Sequence, residues 1–294
     1  MCNRMRTAST CQIAALSLFL LALNALPAAA ACDLAEGRTG VVARVIDGET
    51  FTLEDGSEVK LLGLLAPTAP AWWKQAGPWP PAEAAAQELA GLLEGKEVEL
   101  KFDARHQDRR KRWLAQVFVT SGEGERIWVQ SHLIGKGLAR AHAFFDNRAC
   151  QRALQQREAT ARDEAKGLWR RRAYRVVDAA RPEVLKPRVQ TFQIVEGEVV
   201  EVGRTSRWTF LNFGSDRKRD FTAAISAKHA KAFAESDVAL VGLEGRRVRV
   251  RGWIERWNGP AIKVTHPEQI EVLDDGLPAA DAQEKTPARE APGL

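Results

Sequence analysis

The sequence predicts a mainly β protein with helices, an α+β fold organised as two small barrels. Two observations lead to this prediction. Short runs of alternating apolar and polar residues, separated by turn dipeptides, occur in both halves of the chain. A basic, proline-containing segment separates the two halves. With 294 residues and 45% hydrophobic content, the chain is long enough for two ordinary domains.

The first 31 residues have the layout of a secretory signal peptide. Arg4 and Arg6 precede the apolar run at residues 13–23, and small residues follow as far as Ala31. We therefore expect an exported protein, periplasmic or secreted, with lipidation of Cys32 as the alternative. Losing the two arginines lowers the formal charge from +5 to +3, which is only mildly basic. No later run of apolar residues is long enough for a membrane span.

Two cysteines remain after this segment, Cys32 and Cys150. An even number of cysteines in an exported chain predicts a disulfide bond, which would join the start of the mature chain to a later helix. The alternative is two unrelated free thiols.

Residues 36–175 are predicted to form the first domain. Alternation at residues 38–64 around the turns Asp47-Gly48 and Asp55-Gly56 predicts a strand meander. Residues 82–95 are rich in helix formers, follow two prolines and end at a glycine, as a helix would. Further along the chain, the pattern predicts strands at residues 97–102 and 113–119 and amphipathic helices at 127–139 and 150–167.

The second half begins with a predicted linker at residues 176–190. Residues 191–274 then return to strand alternation, with five short strands and one helical pattern at residues 228–235. This combination predicts a small OB-type barrel. Residues 275–294 are rich in Ala, Pro, Glu and Lys, which predicts a disordered tail.

Four motifs carry a family resemblance. They are VIDGET at residues 45–50, KLLGLLAPT at 60–68, DRRKRWLA at 108–115 and GKGLA at 135–139. In this order and spacing they resemble the staphylococcal nuclease (thermonuclease-like) family over residues 38–172. The resemblance implies a five-stranded OB barrel with helices and calcium-dependent hydrolysis of DNA and RNA.

The family's metal ligands are only partly kept. The carboxylate of the first hairpin corresponds to Glu49, where the family usually has aspartate. The second ligand aspartate corresponds to Leu65, which cannot coordinate a cation, and the adjacent threonine corresponds to Ala66. Calcium needs several oxygen ligands, so one carboxylate is a poor site.

The catalytic groups are also reduced. The general-base glutamate corresponds to Thr68, which has no useful basicity near neutral pH. The first phosphate-binding arginine corresponds to Lys60, which keeps the charge but lacks the guanidinium fork. The second arginine is retained as Arg112, although Lys111 replaces the glycine before it.

These positions predict a nuclease homologue with a degenerate site that needs no cofactor. We expect it to bind nucleic acid, with single-stranded nucleic acid as the candidate partner, or another polyanion, without efficient hydrolysis. One alternative is an active calcium-dependent phosphodiesterase whose site is rebuilt with another carboxylate. The candidates for that carboxylate are Asp103, Asp108 and Glu83. A further alternative is a scaffold that binds envelope proteins or polysaccharide.

Two groups of residues are candidates for nucleic-acid binding. In the first domain, the basic residues before Arg112 could line a phosphate groove, or they could form a solvated loop. They are Arg105, Arg109, Arg110 and Lys111. In the second domain, aromatic and cationic residues alternate as in OB folds that bind single strands, or simply as the two faces of a strand. They are Arg207, Trp208, Arg249, Arg251 and Trp253. The five histidines lack the spacing of a zinc site.

Overall fold

A computed structural model describes residues 32, 34–70, 73–144 and 146–273. The predicted signal peptide and the predicted disordered tail lie outside these residues. The described residues belong to one compact unit. Within them, no helix is both long enough and apolar enough to cross a membrane.

The first part of this unit is a closed five-stranded barrel. Antiparallel neighbours connect β3 to β2, β2 to β1, β1 to β5 and β5 to β6, and a parallel pairing of β3 with β6 closes the barrel. The strands of this half are β1 (Ala35–Asp47), β2 (Thr50–Leu53), β3 (Glu58–Leu61), β4 (Leu64–Leu65), β5 (Glu97–Phe102), β6 (Trp113–Thr120), β7 (Arg126–Trp128) and β8 (Arg140–Ala141). This barrel confirms the fold class predicted for the first domain.

Three helices accompany the first barrel. The first, α1 (Pro80–Leu93), starts with prolines at its first positions, where a missing N–H costs no helical hydrogen bond, and buries Leu89 and Leu93 in the core. The others are α2 (Val129–Gly135) and α3 (Gln151–Asp163).

The predicted helix at residues 127–139 is wrong at both ends. Ile127 and Trp128 belong to β7, which pairs with β6, and Trp128 lies opposite Phe118 in that pairing. Strand alternation and helical periodicity overlap in such a short apolar run, and pairing with β6 decides between them.

The predicted disulfide is confirmed. Cys32 and Cys150 are bonded, with their Cα atoms 5.0 Å apart, and the bond ties the start of the described chain to the beginning of α3.

The predicted linker at residues 176–190 contains short regular elements. It forms β9 (Val177–Asp178), which pairs in parallel with the next strand, and α4 (Pro182–Leu185). Val177 and Leu185 are buried in the second hydrophobic core. The apolar residues between the arginines thus anchor the segment.

The second half is a curled, OB-like sheet, as predicted. Its strands are β10 (Phe192–Glu198), β11 (Glu201–Arg204), β12 (Trp208–Asn212), β13 (Thr222–Ser226), β14 (Arg247–Arg256), β15 (Pro260–Val264) and β16 (Ile270–Val272). Neighbouring strands of the sheet follow the order β11-β12-β13-β15-β14-β10. The strands at the two ends of this order, β10 and β11, are consecutive in the chain. One helix, α5 (Ala227–Ala234), connects β13 to β14. If β10 and β11 are counted as one strand, the first barrel has the same strand order. Its helix α1 lies between the third and fourth barrel strands, β3 and β5, as α5 lies between β13 and β14.

The outer face of β10 and β14 packs against the first barrel. Phe192 and Ile194 on β10 share a hydrophobic cluster with Ala161 on α3 and with Trp169, and Leu65 packs against this cluster. We call this contact region the junction.

Candidate functional site

The hairpin between β1 and β2 positions the first predicted site residue. Asp47 accepts a hydrogen bond of 2.8 Å from the backbone N–H of Glu49, which shapes the turn. A Cβ atom at Gly48 would lie 2.7 Å from the Cβ of Ala85 on α1, so the turn needs a glycine to approach the helix. The turn holds Glu49 at the start of β2.

The carboxylate of Glu49 is engaged inside the protein. Its Oε1 atom forms an ion pair with Nζ of Lys60, and its Oε2 atom accepts a hydrogen bond of 3.0 Å from the backbone N–H of Ala66. Lys60 lies on β3 directly opposite Thr50, so the register of the hairpin brings the two charges together. The side chain of Glu49 is 15% exposed and that of Lys60 is 14% exposed. A pair so shielded from water keeps more of its attraction than a surface pair.

The second ligand position has become part of the junction. Leu65 lies on β4, opposite Arg140 on β8, and packs against the cluster that contains Phe192 and Trp169. Ala66 is 6% exposed, whereas Thr68 is exposed to solvent. The leucine therefore serves packing between the two halves of the molecule.

The retained arginine is held by a carboxylate of its own turn. Nε of Arg112 donates a hydrogen bond of 2.8 Å to Oδ2 of Asp108, and Oδ1 of Asp108 accepts the backbone N–H groups of Arg110 and Arg112. Burial raises the pKa of Asp108, but the hydrogen bonds from Arg112 and from the backbone outweigh it and lower the pKa overall. Lys111, at the family's glycine position, has φ 66°, so the left-handed backbone that favours glycine persists without one.

A cavity of about 430 Å³ lies beside this turn. It combines four cationic side chains with two carboxylates, and its lining is Lys60, Arg105, Asp108, Arg109, Arg112, Leu114, Phe144, Asp146 and Asn147. Arg105 forms an ion pair with Asp146, and its backbone N–H donates a hydrogen bond of 2.7 Å to Asn147. The structure thus brings together four of the predicted cations, while Arg110 and Lys111 lie in the same turn outside the lining.

The side chains present do not fit a calcium ion. Of the three carboxylates that could have rebuilt the site, Asp108 holds Arg112, Asp103 accepts the backbone N–H groups of Ala104 and Ala149, and Glu83 accepts a hydrogen bond from Gln87 on α1. Across the part of the chain that the structure describes, there is no group of three or more His, Cys, Asp or Glu side chains that could hold a metal ion. Calcium requires several oxygen ligands at once.

A comparison with protein families identifies one domain in the chain. Residues 58–171 match the family described as staphylococcal nuclease homologue. This segment is a staphylococcal nuclease homologue domain. The match runs from β3 past α3 and includes every residue that lines the basic cavity of about 430 Å³, whereas β1 and β2 precede it. A search of curated proteins gave no match to the chain.

Outside the nuclease homologue domain, a second cavity of about 210 Å³ lies on the OB-like sheet. Its lining comes from β11, β12, the start of β13 and the β14–β15 turn, and includes Arg204, Phe210, Asn212, Arg217 and Trp257. Trp208 packs edge-on against Trp257, with ring centroids 4.7 Å apart. This is the face on which OB folds bind oligonucleotides and oligosaccharides. Trp208 is the first residue of β12 and contacts the cavity lining through Trp257, and the other predicted residue, Arg207, directly precedes it in the chain.

Arg249 and Arg251, which the sequence predicts to bind nucleic acid, form ion pairs within the protein. Arg251 is 2% exposed, and its guanidinium donates to Glu158 of α3 at 2.8 Å, to the carbonyl oxygen of Ala141 at 3.1 Å and to Glu271. Arg249 binds Glu271 and Glu196 in the same network. Both arginines lie on the outer face of β14, where the nuclease homologue domain covers Arg251, whereas Arg249 is 15% exposed. Trp253, further along the same face, is 47% exposed.

The junction also contains charged residues that the sequence did not single out. Glu158 is fully buried on α3 and accepts the backbone N–H of Ala141 at 2.8 Å as well as the guanidinium of Arg251. Arg140 is 8% exposed, donates a hydrogen bond of 2.7 Å to the carbonyl oxygen of Phe192, and has its pKa lowered to about 10 by burial. The sequence contains one indication that Glu158 is buried. It follows Leu154 at the spacing that places both residues on the same, core-facing side of α3.

Proposed function

We propose that the nuclease homologue domain binds nucleic acid, or another polyanion, without efficient hydrolysis. The observation that carries this proposal is the pairing of Glu49 with Lys60 and with the backbone N–H of Ala66. This pairing neutralises the one ligand carboxylate that the chain retains at the family's positions. Leu65 and Thr68 add neither a second carboxylate nor a base, so the family's calcium-dependent mechanism would lack a second metal ligand and a general base.

The basic cavity supports binding. Lys60, Arg105, Arg109 and Arg112 converge on one space, with Asp108 and Asp146 as the only acidic side chains in its lining. Guanidinium groups bind phosphate oxygens with paired hydrogen bonds, and phosphate binding releases counterions from the polyanion. The cavity beside Trp208 and Trp257 on the OB-like sheet supports the same function with aromatic rings.

One observation favours the enzyme alternative. Arg112 is retained in a cavity that also contains Asp108 and Asp146, so the arginine and two carboxylates lie within one space. A calcium-dependent phosphodiesterase rebuilt around these groups would have to free Asp108 from Arg112 and Asp146 from Arg105.

The disulfide and the signal-like sequence before Cys32 both support an exported protein. A disulfide between Cys32 and Cys150 persists in an oxidising compartment, and the signal-like sequence precedes Cys32 directly. We propose that the protein acts in the periplasm or outside the cell. The scaffold alternative, binding of envelope proteins or polysaccharide, would use the same compartment.

Hydrolysis and binding are measured separately. Purified protein with its disulfide intact is incubated with single-stranded DNA and calcium, with and without chelator, beside the variant Glu49→Gln. We expect no cleavage in any of these samples. Cleavage that is lost on addition of chelator and in Glu49→Gln would show that the site is an active one.

Binding is measured by fluorescence anisotropy at several salt concentrations. We expect affinity to fall steeply with salt, and the variants Arg109→Ala and Arg112→Ala to reduce the slope of log K against log salt by about 0.7 for each phosphate contact removed. Arg126→Ala is the matched control, because Arg126 is a half-exposed arginine on β7. Salt-insensitive binding, or equal effects of all three variants, would favour the scaffold.

A further inference from the structure

Four aromatic rings run from the basic cavity across the junction to the second sheet. We call them the aromatic row: Phe144, His142, Phe192 and Trp253. The ring centroids are 5.2 Å apart from Phe144 to His142, 5.2 Å from His142 to Phe192, and 6.1 Å from Phe192 to Trp253. Each contact is edge-to-face, an arrangement that aromatic rings favour.

The two ends of the row are exposed and its middle is packed. Phe144 is 38% exposed and Trp253 is 47% exposed, which places both among the large apolar side chains that the described chain leaves open to solvent. Phe192 is 2% exposed and belongs to the hydrophobic cluster of the junction. The packed middle therefore holds the two open rings at a set separation.

One end of the row opens into the basic cavity. Phe144 lines that cavity together with the cations Lys60, Arg105, Arg109 and Arg112. An aromatic ring next to several cations is the combination with which proteins hold single strands, since cations bind the backbone and rings stack on bases. In a duplex the bases are paired and stacked, so a flat ring on a surface can reach them only in a single strand.

The position of the second exposed ring extends this site. Trp253 lies on β14 directly opposite Phe192 of β10, two residues beyond Arg251 and on the same face. Toward the core of the junction this face is covered by α3 through the pair Arg251–Glu158, and it emerges into solvent at Trp253. Trp253 is thus an open ring of the second sheet at the edge of the nuclease homologue domain.

We propose that the two halves of the molecule form one binding path for single-stranded nucleic acid. The basic cavity holds phosphates, Phe144 stacks on one base, and the strand crosses the junction so that Trp253 stacks on another. This path is distinct from the cavity beside Trp208 and Trp257, which lies on other strands of the second sheet. The inference rests on the proposed polyanion binding and adds the class of ligand and its route.

Two oligonucleotides separate the role of the bases from that of the phosphates. Binding of a twelve-residue oligothymidylate, a length within the range of about 4–16 nucleotides that OB folds cover, is compared with that of an abasic strand of equal length. In the unchanged protein we expect the oligothymidylate to bind at least about fivefold more tightly. Trp253→Leu and Phe144→Leu should each weaken oligothymidylate binding at least about fivefold and leave binding of the abasic strand unchanged. Trp253→Phe keeps a ring and should restore part of the loss.

The control is Phe118→Leu, which removes an aromatic ring on β6 that lines neither cavity. It should change neither affinity. Thermal melting of every variant shows whether the junction still folds. If the folded Trp253→Leu protein binds oligothymidylate like the unchanged protein, the path across the junction is refuted, although polyanion binding stands. Equal binding of both strands by the unchanged protein refutes base stacking. Binding of neither strand refutes both the path and nucleic-acid binding, and leaves another polyanion as the ligand of the proposed function.

Discussion

The ion pair between Arg251 and Glu158 offers the sharpest test of how the two halves are held together. The perturbation is Arg251→Met, which keeps an unbranched apolar side chain of similar reach but removes the guanidinium. Arg251 is 2% exposed and Glu158 is 0% exposed, so the substitution removes the nearer cation of a buried carboxylate and leaves it only Arg162, whose Nη1 atom lies 3.7 Å from Oε2 of Glu158. The carbonyl oxygen of Ala141 and the carboxylate of Glu271 also lose a donor.

The expected cost is large. Removing one partner of a buried ion pair destabilises a protein by about 3–5 kcal/mol. In a domain of 150–250 residues, each kcal/mol shifts the melting temperature by roughly 2–4 °C, so we expect a drop of about 6–20 °C. Replacing both partners, in Arg251→Met with Glu158→Leu, should recover part of the loss, because the buried carboxylate of Glu158 is removed with its cation. The recovery is limited because the backbone N–H of Ala141 then loses its acceptor.

The assay is urea denaturation followed by tryptophan fluorescence, with equal slopes required before free energies of unfolding are compared. Arg247→Met is the matched control, since Arg247 lies on the same strand, is 59% exposed and pairs with Glu196. An exposed pair of this kind contributes about 0.2–1 kcal/mol. If Arg251→Met costs no more than Arg247→Met, the junction is not held by this pair and the reasoning is wrong.

Three further predictions concern the disulfide, the junction and pH. Cys150→Ser opens a loop with a sequence separation of 118 residues and should lower the free energy of unfolding by about 4–5 kcal/mol, measured against the oxidised protein in urea. Leu65→Asp places a charge against the apolar junction cluster and should lower the free energy of unfolding by about 1–3 kcal/mol. We expect this variant to show no calcium-dependent cleavage. Cleavage caused by this change alone would contradict the proposed loss of the base at Thr68. Burial, with the neighbouring charges of His266, Arg140, Arg251 and Lys60, lowers the pKa of His142 to about 3, from about 6.5 in the unfolded chain. Between these two pKa values the unfolded chain binds more protons than the folded chain, so the free energy of unfolding should fall by about 2 kcal/mol from pH 6.5 to pH 5. His142→Phe should remove that part of the fall. An unchanged pH profile in His142→Phe would refute this role of His142.

Local patterns in the sequence predict the elements of the first barrel closely. The turn at Asp47-Gly48, the prolines that begin α1 and the alternation of residues 97–102 each depend on neighbours within a few positions, and the structure places a hairpin, a helix and β5 there. The predicted helix at residues 127–139 is wrong at its start because Ile127 and Trp128 pair with β6. The contacts of Val177 and Leu185 with the second core are likewise not visible in the local pattern.

The candidate site divides in the same way. The predicted absence of carboxylates at Leu65 and Thr68 depends on the sequence alone, because neither side chain carries a carboxylate in any fold. The sequence also supplies the charges of Glu49 and Lys60, but only the register of β2 and β3 turns them into a pair.

Tertiary structure alone decided which arginines remain available. Alternation along β14 puts Arg249, Arg251 and Trp253 on the outside of the sheet, and an outward residue in an isolated barrel faces water. Here the nuclease homologue domain covers part of that face, so Arg251 pairs with Glu158 while Trp253 stays open. The period of a strand determines the side to which a residue points, and the domain packed against that side determines whether the residue binds a ligand or holds the protein together.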